Sequence, residues 1–149
     1  MISFSTFLSF VHIIGLAVGV GAATVKLVLL FKCKSSYNYI HVFNQVSKPI
    51  TRLIILGLIL LTLSGTGWLI LQFSLTPKLI VKIVFVVIIW ILGPIIDNTI
   101  EPKLLKLTPT SGQPVTPEFL KILNQYLIME IFATGLFYVI IVLWRLVSF

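Results

Sequence analysis

Residues 4–31 read FSTFLSFVHIIGLAVGVGAATVKLVLLF, and this stretch decides the fold class. Its only ionisable side chains are His12 and Lys26, and it exceeds the roughly 20 residues that an α-helix needs to cross the hydrocarbon core of a bilayer. A secretory signal peptide would have a basic start and a shorter apolar core. The segment is therefore predicted to be a retained transmembrane helix.

Three more apolar runs follow the first, so the predicted spans cover residues 4–31, 50–73, 77–96 and 124–146. Hydrophobic residues make up 58% of the 149-residue chain and charged residues only 10%, which is too little charge to cover a soluble domain. Thr76-Pro77 and Thr116-Pro117 are typical helix starts, whereas Gly93-Pro94 is expected to end or kink the third helix. The sequence predicts an all-α integral membrane four-helix bundle, a single transmembrane domain over residues 1–149.

The basic residues predict how this bundle is oriented. Most of them fall in or beside the predicted loops 32–49 and 97–123, namely Lys32, Lys34, Lys48, Arg52, Lys103, Lys106 and Lys121. The positive-inside rule then places these loops in the cytoplasm and both termini on the outer side of a bacterial or archaeal inner membrane. A net charge of +7 is thus explained by topology and anionic headgroups, and nucleic-acid binding is not expected.

The first helix has one face of small residues that carries a histidine. His12 shares this face with Gly15, Gly19 and Ala23, and Lys26 continues it. Two interpretations are open. Small residues at this spacing allow close packing of a neighbouring helix. Alternatively, the face admits a flat ligand, and the imidazole of His12 is a good axial ligand for haem iron.

Lys82 and Glu130 also lie inside the predicted spans, where charged side chains are costly and are candidate functional groups. Lys82, with Lys78 one turn away, either extends to headgroups or provides a counter-charge for an anionic group such as a haem propionate. Glu130 is expected to form an intramembrane ion pair with Lys26, which lies at a matching depth. A proton-relay role for Glu130 is the alternative.

Three short stretches resemble a family of small membrane proteins that includes HemJ-type protoporphyrinogen oxidases and CopD-like proteins. They are residues 10–21 (FVHIIGLAVGVG), residues 63–65 (LSG) and residues 77–83 (PKLIVKI), in helices one to three. The resemblance implies a four-helix bundle that binds b-type haem, with His12 as axial ligand and Lys82 as an important lysine. The chain lacks the Trp-Phe pair usual after the first-helix histidine of HemJ-type proteins and the Met- and His-rich features of copper transporters.

Three functional hypotheses follow from these features. The first is a haem-binding multi-pass membrane redox protein with haem b on His12, Gly15 and Gly19 admitting the porphyrin, and Lys78 and Lys82 holding propionates. The second is a non-enzymatic scaffold or accessory subunit, whose Gly15/Gly19 face packs against a second copy or a partner membrane protein. The third is small-molecule or ion transport with Lys26 and Glu130 as gating charges. No catalytic residue is identified.

Overall fold

The computed structural model describes residues 3–72, 76–109 and 114–146, and these residues are helical with no strand. The elements are α1 (Phe4–Ser35), α2 (Tyr39–Gln72), α3 (Pro77–Ile95), a π-helical turn (Ile96–Ile100), α4 (Glu101–Lys106) and α5 (Pro117–Leu146). Four stretches are long and apolar enough to cross a membrane: Phe4–Ser35, Tyr39–Leu71, Pro77–Lys106 and Pro117–Leu143. The prediction of an all-α protein with four candidate membrane spans is confirmed.

Hydroxyl side chains cap the starts of three of these helices. Ser3 accepts a hydrogen bond from the backbone N–H of Thr6, and Thr76 accepts one from that of Leu79 with Pro77 in the first turn. The side chain of Thr116 likewise accepts from a backbone N–H in the first turn of α5. These contacts satisfy N–H groups that have no partner within the helix, which explains why α3 and α5 begin where the sequence predicts.

The second helix begins earlier than its apolar run indicates. It starts at Tyr39, continues through Pro49, and leaves only residues 36–38 between α1 and α2, in place of the predicted loop 32–49. Its first two turns are held by Ile40, Phe43 and Ser47, whose spacing puts them on one buried face. Burial of this face against the rest of the bundle stabilises helical structure before the apolar run that starts at residue 50.

The third span also extends beyond its predicted end. Pro94 lies inside α3, and the chain continues through the π-helical turn into α4, so that much of the predicted loop 97–123 is helical. A proline removes one backbone hydrogen bond, and a wider π turn is a common local adjustment to such a defect. Buried Ile96, Ile100 and Leu104 then follow at four-residue spacing and hold the extension against the bundle.

α1 and α2 form an antiparallel pair at unusually close range. A Cβ atom added to Gly19 would lie 3.3 Å from the Cα atom of Gly57, and one added to Gly15 would lie 3.0 Å from the side chain of Leu61. Only glycine allows two helix backbones to approach so closely. We call this contact the glycine seam; it fixes the register of α1 against α2.

The other spans complete the bundle around α1. α5 packs against α1 and also against α3, while Trp90 of α3 donates a hydrogen bond to Thr62 of α2. The densest core lies at the end of the bundle that carries the 36–38 and 107–116 connections, here called the loop end; Leu30 and Phe119 are completely buried there. The opposite end, which carries the N-terminus and the α2–α3 connection, is called the terminal end.

Candidate functional site

Two groups of polar side chains between the helices of the described part of the chain carry the candidate functional residues. The first is at the terminal end, where His12 of α1 contacts Ser64 of α2 with 2.9 Å between Nδ1 and Oγ. Ser64 is buried, and its hydroxyl lies 2.7 Å from the Leu60 carbonyl oxygen and 3.1 Å from that of Leu61. When the hydroxyl proton is bonded to one of these carbonyls, the Ser64 oxygen accepts a hydrogen bond from His12 in its Nδ1-protonated tautomer.

This arrangement fixes the chemistry of the imidazole. A neutral histidine carries one ring proton, and with that proton on Nδ1 the lone pair lies on Nε2. Metal-ligating histidines almost always donate their second ring N–H to a fixed acceptor in this way, which orients the ring and makes it a better ligand. In that tautomer Nε2 is the ring nitrogen that could accept a proton or ligate a metal.

Lys82 belongs to the same region. It is half-buried on α3 and close enough to His12 to act on it electrostatically. Lys78 lies one turn nearer the start of α3 and is exposed. The two residues thus interact electrostatically between α1 and α3, and a direct role of Lys82 beside His12 stays a prediction.

The Gly15/Gly19 face is occupied by α2 of the same chain. The glycine seam leaves no room for a porphyrin plane between the two helices, since even a methyl group on Gly19 would press on Gly57. A partner helix from another chain meets the same obstruction. Of the two interpretations of this face, close helix packing describes its geometry. Its partner Gly57 is marked in the sequence as a glycine within the second apolar run, a position that also favours close helix packing.

The second polar group surrounds Lys26, which is 1% exposed. Its Nζ atom lies 2.7 Å from Thr51 Oγ1, 3.0 Å from Asp97 Oδ1 and 3.2 Å from Glu101 Oε2. Four elements contribute to this ion cluster, because Thr51 comes from α2, Asp97 from the π-helical turn and Glu101 from the start of α4. The extension of the third span past Pro94 is what brings both carboxylates to the lysine.

Tyr126 of α5 closes the ion cluster. Its hydroxyl donates a hydrogen bond of 2.6 Å to Glu101 Oε2, and its ring centroid lies 5.5 Å from Lys26 Nζ. Phe43 packs edge-on against the same ring, with 5.8 Å between the centroids. A short charge-assisted hydrogen bond together with a cation–π contact holds Lys26 and Glu101 in one geometry, buried inside the bundle.

Glu130, the predicted partner of Lys26, is 4% exposed and acts on Lys26 electrostatically. The carboxylates within ion-pair distance of Lys26 are nevertheless those of Asp97 and Glu101, which the sequence analysis assigned to a loop. The physical reason is geometric. Equal depth along two helices fixes only the axial position, whereas the rotation of each helix decides which carboxylate reaches the ammonium.

Within residues 3–72, 76–109 and 114–146, no group of three or more His, Cys, Asp or Glu side chains could hold a metal ion. No protein-family model matches the chain, and neither a curated protein nor a solved structure is significantly similar to it.

Proposed function

We propose that this protein is a haem-binding membrane redox protein in which Nε2 of His12 is the axial ligand of a b-type haem. The observation that carries the proposal is the convergence of His12, Ser64 and Lys82. These three residues come from three separate helices and from each of the three stretches that resemble the HemJ-type and CopD-like family.

Each of the three residues has a distinct part in the proposed site. His12 provides a neutral nitrogen ligand, and Ser64 holds the proton of that ring on Nδ1. Lys82, with Lys78 nearer the membrane surface, provides positive charge for the propionates. A bound haem would supply one-electron chemistry, while the protein supplies its orientation and its counter-charges. Gly15 and Gly19 contribute by fixing α1 against α2, and the porphyrin lies outside their contact.

The test is the visible spectrum of the purified protein during titration with haem. We expect a Soret band that saturates at one haem per chain and that the His12→Ala variant lacks. Ser64→Ala should weaken haem binding by about 10- to 100-fold, as loss of an outer-shell partner typically does. His41→Ala is the matched control, because His41 is exposed near the loop end and should leave binding unchanged. Absence of a Soret band in the haem-saturated wild-type protein would refute the proposal.

We also infer that the loop end faces the cytoplasm. Seven of the 11 Lys and Arg residues lie at or near that end: Lys32, Lys34, Lys48, Arg52, Lys103, Lys106 and Lys121. This excess supports the same orientation that the positive-inside rule predicts, with both termini on the outer side of the cell membrane. Reporter fusions in the 107–116 connection and at the C-terminus should be active on opposite sides of the membrane.

A further inference from the structure

A row of polar side chains leads from the loop end to the ion cluster along one face of α2. Asn44, Ser47 and Thr51 are spaced three and four residues apart, so they share a face of the helix. The contact of Thr51 Oγ1 with Lys26 shows that this face is turned toward the ion cluster. At its outer end the Asn44 amide nitrogen donates a hydrogen bond to Thr108, beside the 107–116 connection.

Two atoms in this row are buried without a partner. The Ser47 side chain is completely buried, and neither its Oγ atom nor Asn44 Oδ1 has a hydrogen-bond partner among the described residues. Buried polar groups in proteins are almost always hydrogen-bonded, and small internal waters satisfy those that the protein does not. The row thus has the donors and acceptors that a chain of water molecules needs.

A second polar row on α5 continues beyond the ion cluster. Tyr126, Glu130 and Thr134 follow at four-residue spacing, and the bond from Tyr126 to Glu101 fixes the direction of this face. Glu130 is buried, and within the described part of the chain Thr134 Oγ1 is likewise buried without a partner. The unpartnered hydroxyls therefore lie on both sides of the buried charges.

The charges of the ion cluster do not balance. Asp97, Glu101 and Glu130 offer three carboxyl groups, and Lys26 is the positive charge that faces them. Two uncompensated negative charges in a low-dielectric interior would be very costly, so at least one carboxyl group must hold a proton or contact water. Asp97 contacts the ammonium and its side chain is 22% exposed, so water can stabilise its charge. Glu101 also contacts the ammonium and accepts a hydrogen bond from the Tyr126 hydroxyl. Glu130, at the inner end, is the carboxyl group left to take the proton.

We propose that Asn44, Ser47 and Thr51 hold a chain of water molecules through which Glu130 exchanges protons with the aqueous phase at the loop end. In this step a hydronium ion gives up a proton at the loop end, the water chain transfers it, and an O–H bond forms on the Glu130 carboxylate. The groups facing Glu130 and its route are Lys26 on α1, Asp97 in the π-helical turn, and Glu101 on α4 with Tyr126 on α5. This site is independent of His12.

Infrared difference spectroscopy of the full-length protein in liposomes tests the proposal. We expect a C=O stretching band of a protonated carboxyl group that disappears in Glu130→Gln and shifts rapidly when H2O is replaced by D2O. Ser47→Val should remove the hydroxyl and fill its space, slowing that deuterium exchange at least tenfold. Thr66→Val, an exposed position elsewhere on α2, is the matched control and should not slow it.

Two results would overturn the proposal. One is a Glu130 band that exchanges equally fast in the wild type and in Ser47→Val. The other is a wild-type spectrum that shows no band sensitive to Glu130→Gln over the pH range in which the protein is folded. If Ser47→Val does not fold, judged by exposure of the buried Cys33 thiol, Ser47→Ala and Asn44→Leu take its place. Neither the spectrum of bound haem nor its affinity should change in these variants, so this test is separate from that of His12.

Discussion

Replacing Lys26 with methionine would remove the positive charge of the ion cluster and keep a side chain of similar length. Its ammonium is 3.0 Å from Asp97 and 3.2 Å from Glu101. With an effective dielectric constant of about 20, each pair has a Coulomb energy of about 5 kcal/mol before desolvation is subtracted. The variant must therefore stabilise the buried Glu101 carboxylate and the partly exposed Asp97 carboxylate in another way, or lose much of its folding free energy.

The expected loss in the free energy of unfolding follows from the least costly way of neutralising one unpaired carboxylate, which is to protonate it. Binding one proton to a carboxyl group at pH 7, about three pH units above its ordinary titration point, costs about 4 kcal/mol at about 1.4 kcal/mol per unit. Removing one partner of a buried ion pair typically costs a similar 3–5 kcal/mol. Lys26→Met should thus lose about 4 kcal/mol at pH 7. Because the folded variant then binds one more proton on its carboxyl groups than the folded wild type does, this loss should shrink by about 1.4 kcal/mol at pH 6.

The sole cysteine supplies the assay. Cys33 is 1% exposed in the core at the loop end, so its reaction with a maleimide dye reports unfolding. Titration of the protein from mild detergent into dodecyl sulfate, with pulse labelling at each step, yields a free energy for every variant. Lys32→Met, an exposed lysine near the end of the same helix, is the control and should differ little from the wild type.

A double variant decides whether charge is the cause. If the reasoning is right, Lys26→Met combined with Glu101→Gln should recover at least half of the loss, because one of the two unpaired carboxylates is gone. A single variant within about 1 kcal/mol of the wild type would show that desolvation cancels the ion pairs, as happens in some buried pairs. A loss that does not change between pH 7 and pH 6 would refute the protonation argument separately.

Two further variants test the packing and the hydrogen bonding around this cluster in the same labelling titration. Gly57→Ala forces a methyl group against the backbone of Gly19 and should lower the free energy of unfolding by about 1–3 kcal/mol. Gly65→Ala is the control, because there is open space at its Cβ position, and it should not lower this free energy. Equal effects of the two variants would contradict the close packing of the glycine seam. Tyr126→Phe loses the 2.6 Å hydrogen bond to Glu101 and should lower the free energy of unfolding by about 1.5–3 kcal/mol. An unchanged free energy would mean that water replaces the hydroxyl.

The four candidate spans could be predicted because the hydrophobicity of a segment depends only on residues that are close together in the sequence. The starts of α3 and α5 are readable for the same reason, since a threonine followed by proline is a local signal. The end of the third span is not. Proline at position 94 is compatible with a helix end and with a π turn, and only the burial of Ile100 and Leu104 against other helices selects the second.

The polar sites were predictable only in part, because their partners come from distant segments. His12 and Lys26 stand out as ionisable residues in an apolar run, which is information contained in the sequence. Ser64 reads simply as a small residue near the end of a span, and its role depends on the register that places it opposite His12. Asp97 reads as a loop residue until the helix that carries it is known to continue. An ionisable residue in an apolar run predicts that a polar site is present. The rotation and register of the helices determine which side chains contact it.

That register also links the two sites. The contacts His12–Ser64 and Lys26–Thr51 both join α1 to α2, and they lie on either side of the glycine seam, about 21 Å apart along α1 at 1.5 Å per residue. One antiparallel pairing thus positions the proposed iron ligand at the terminal end and the ion cluster at the loop end. A substitution in the seam such as Gly57→Ala should therefore disturb both sites together, whereas a change at His12 or at Lys26 should leave the other site intact. If Gly57→Ala changed one site and left the other unchanged, each site would be positioned by its own local packing.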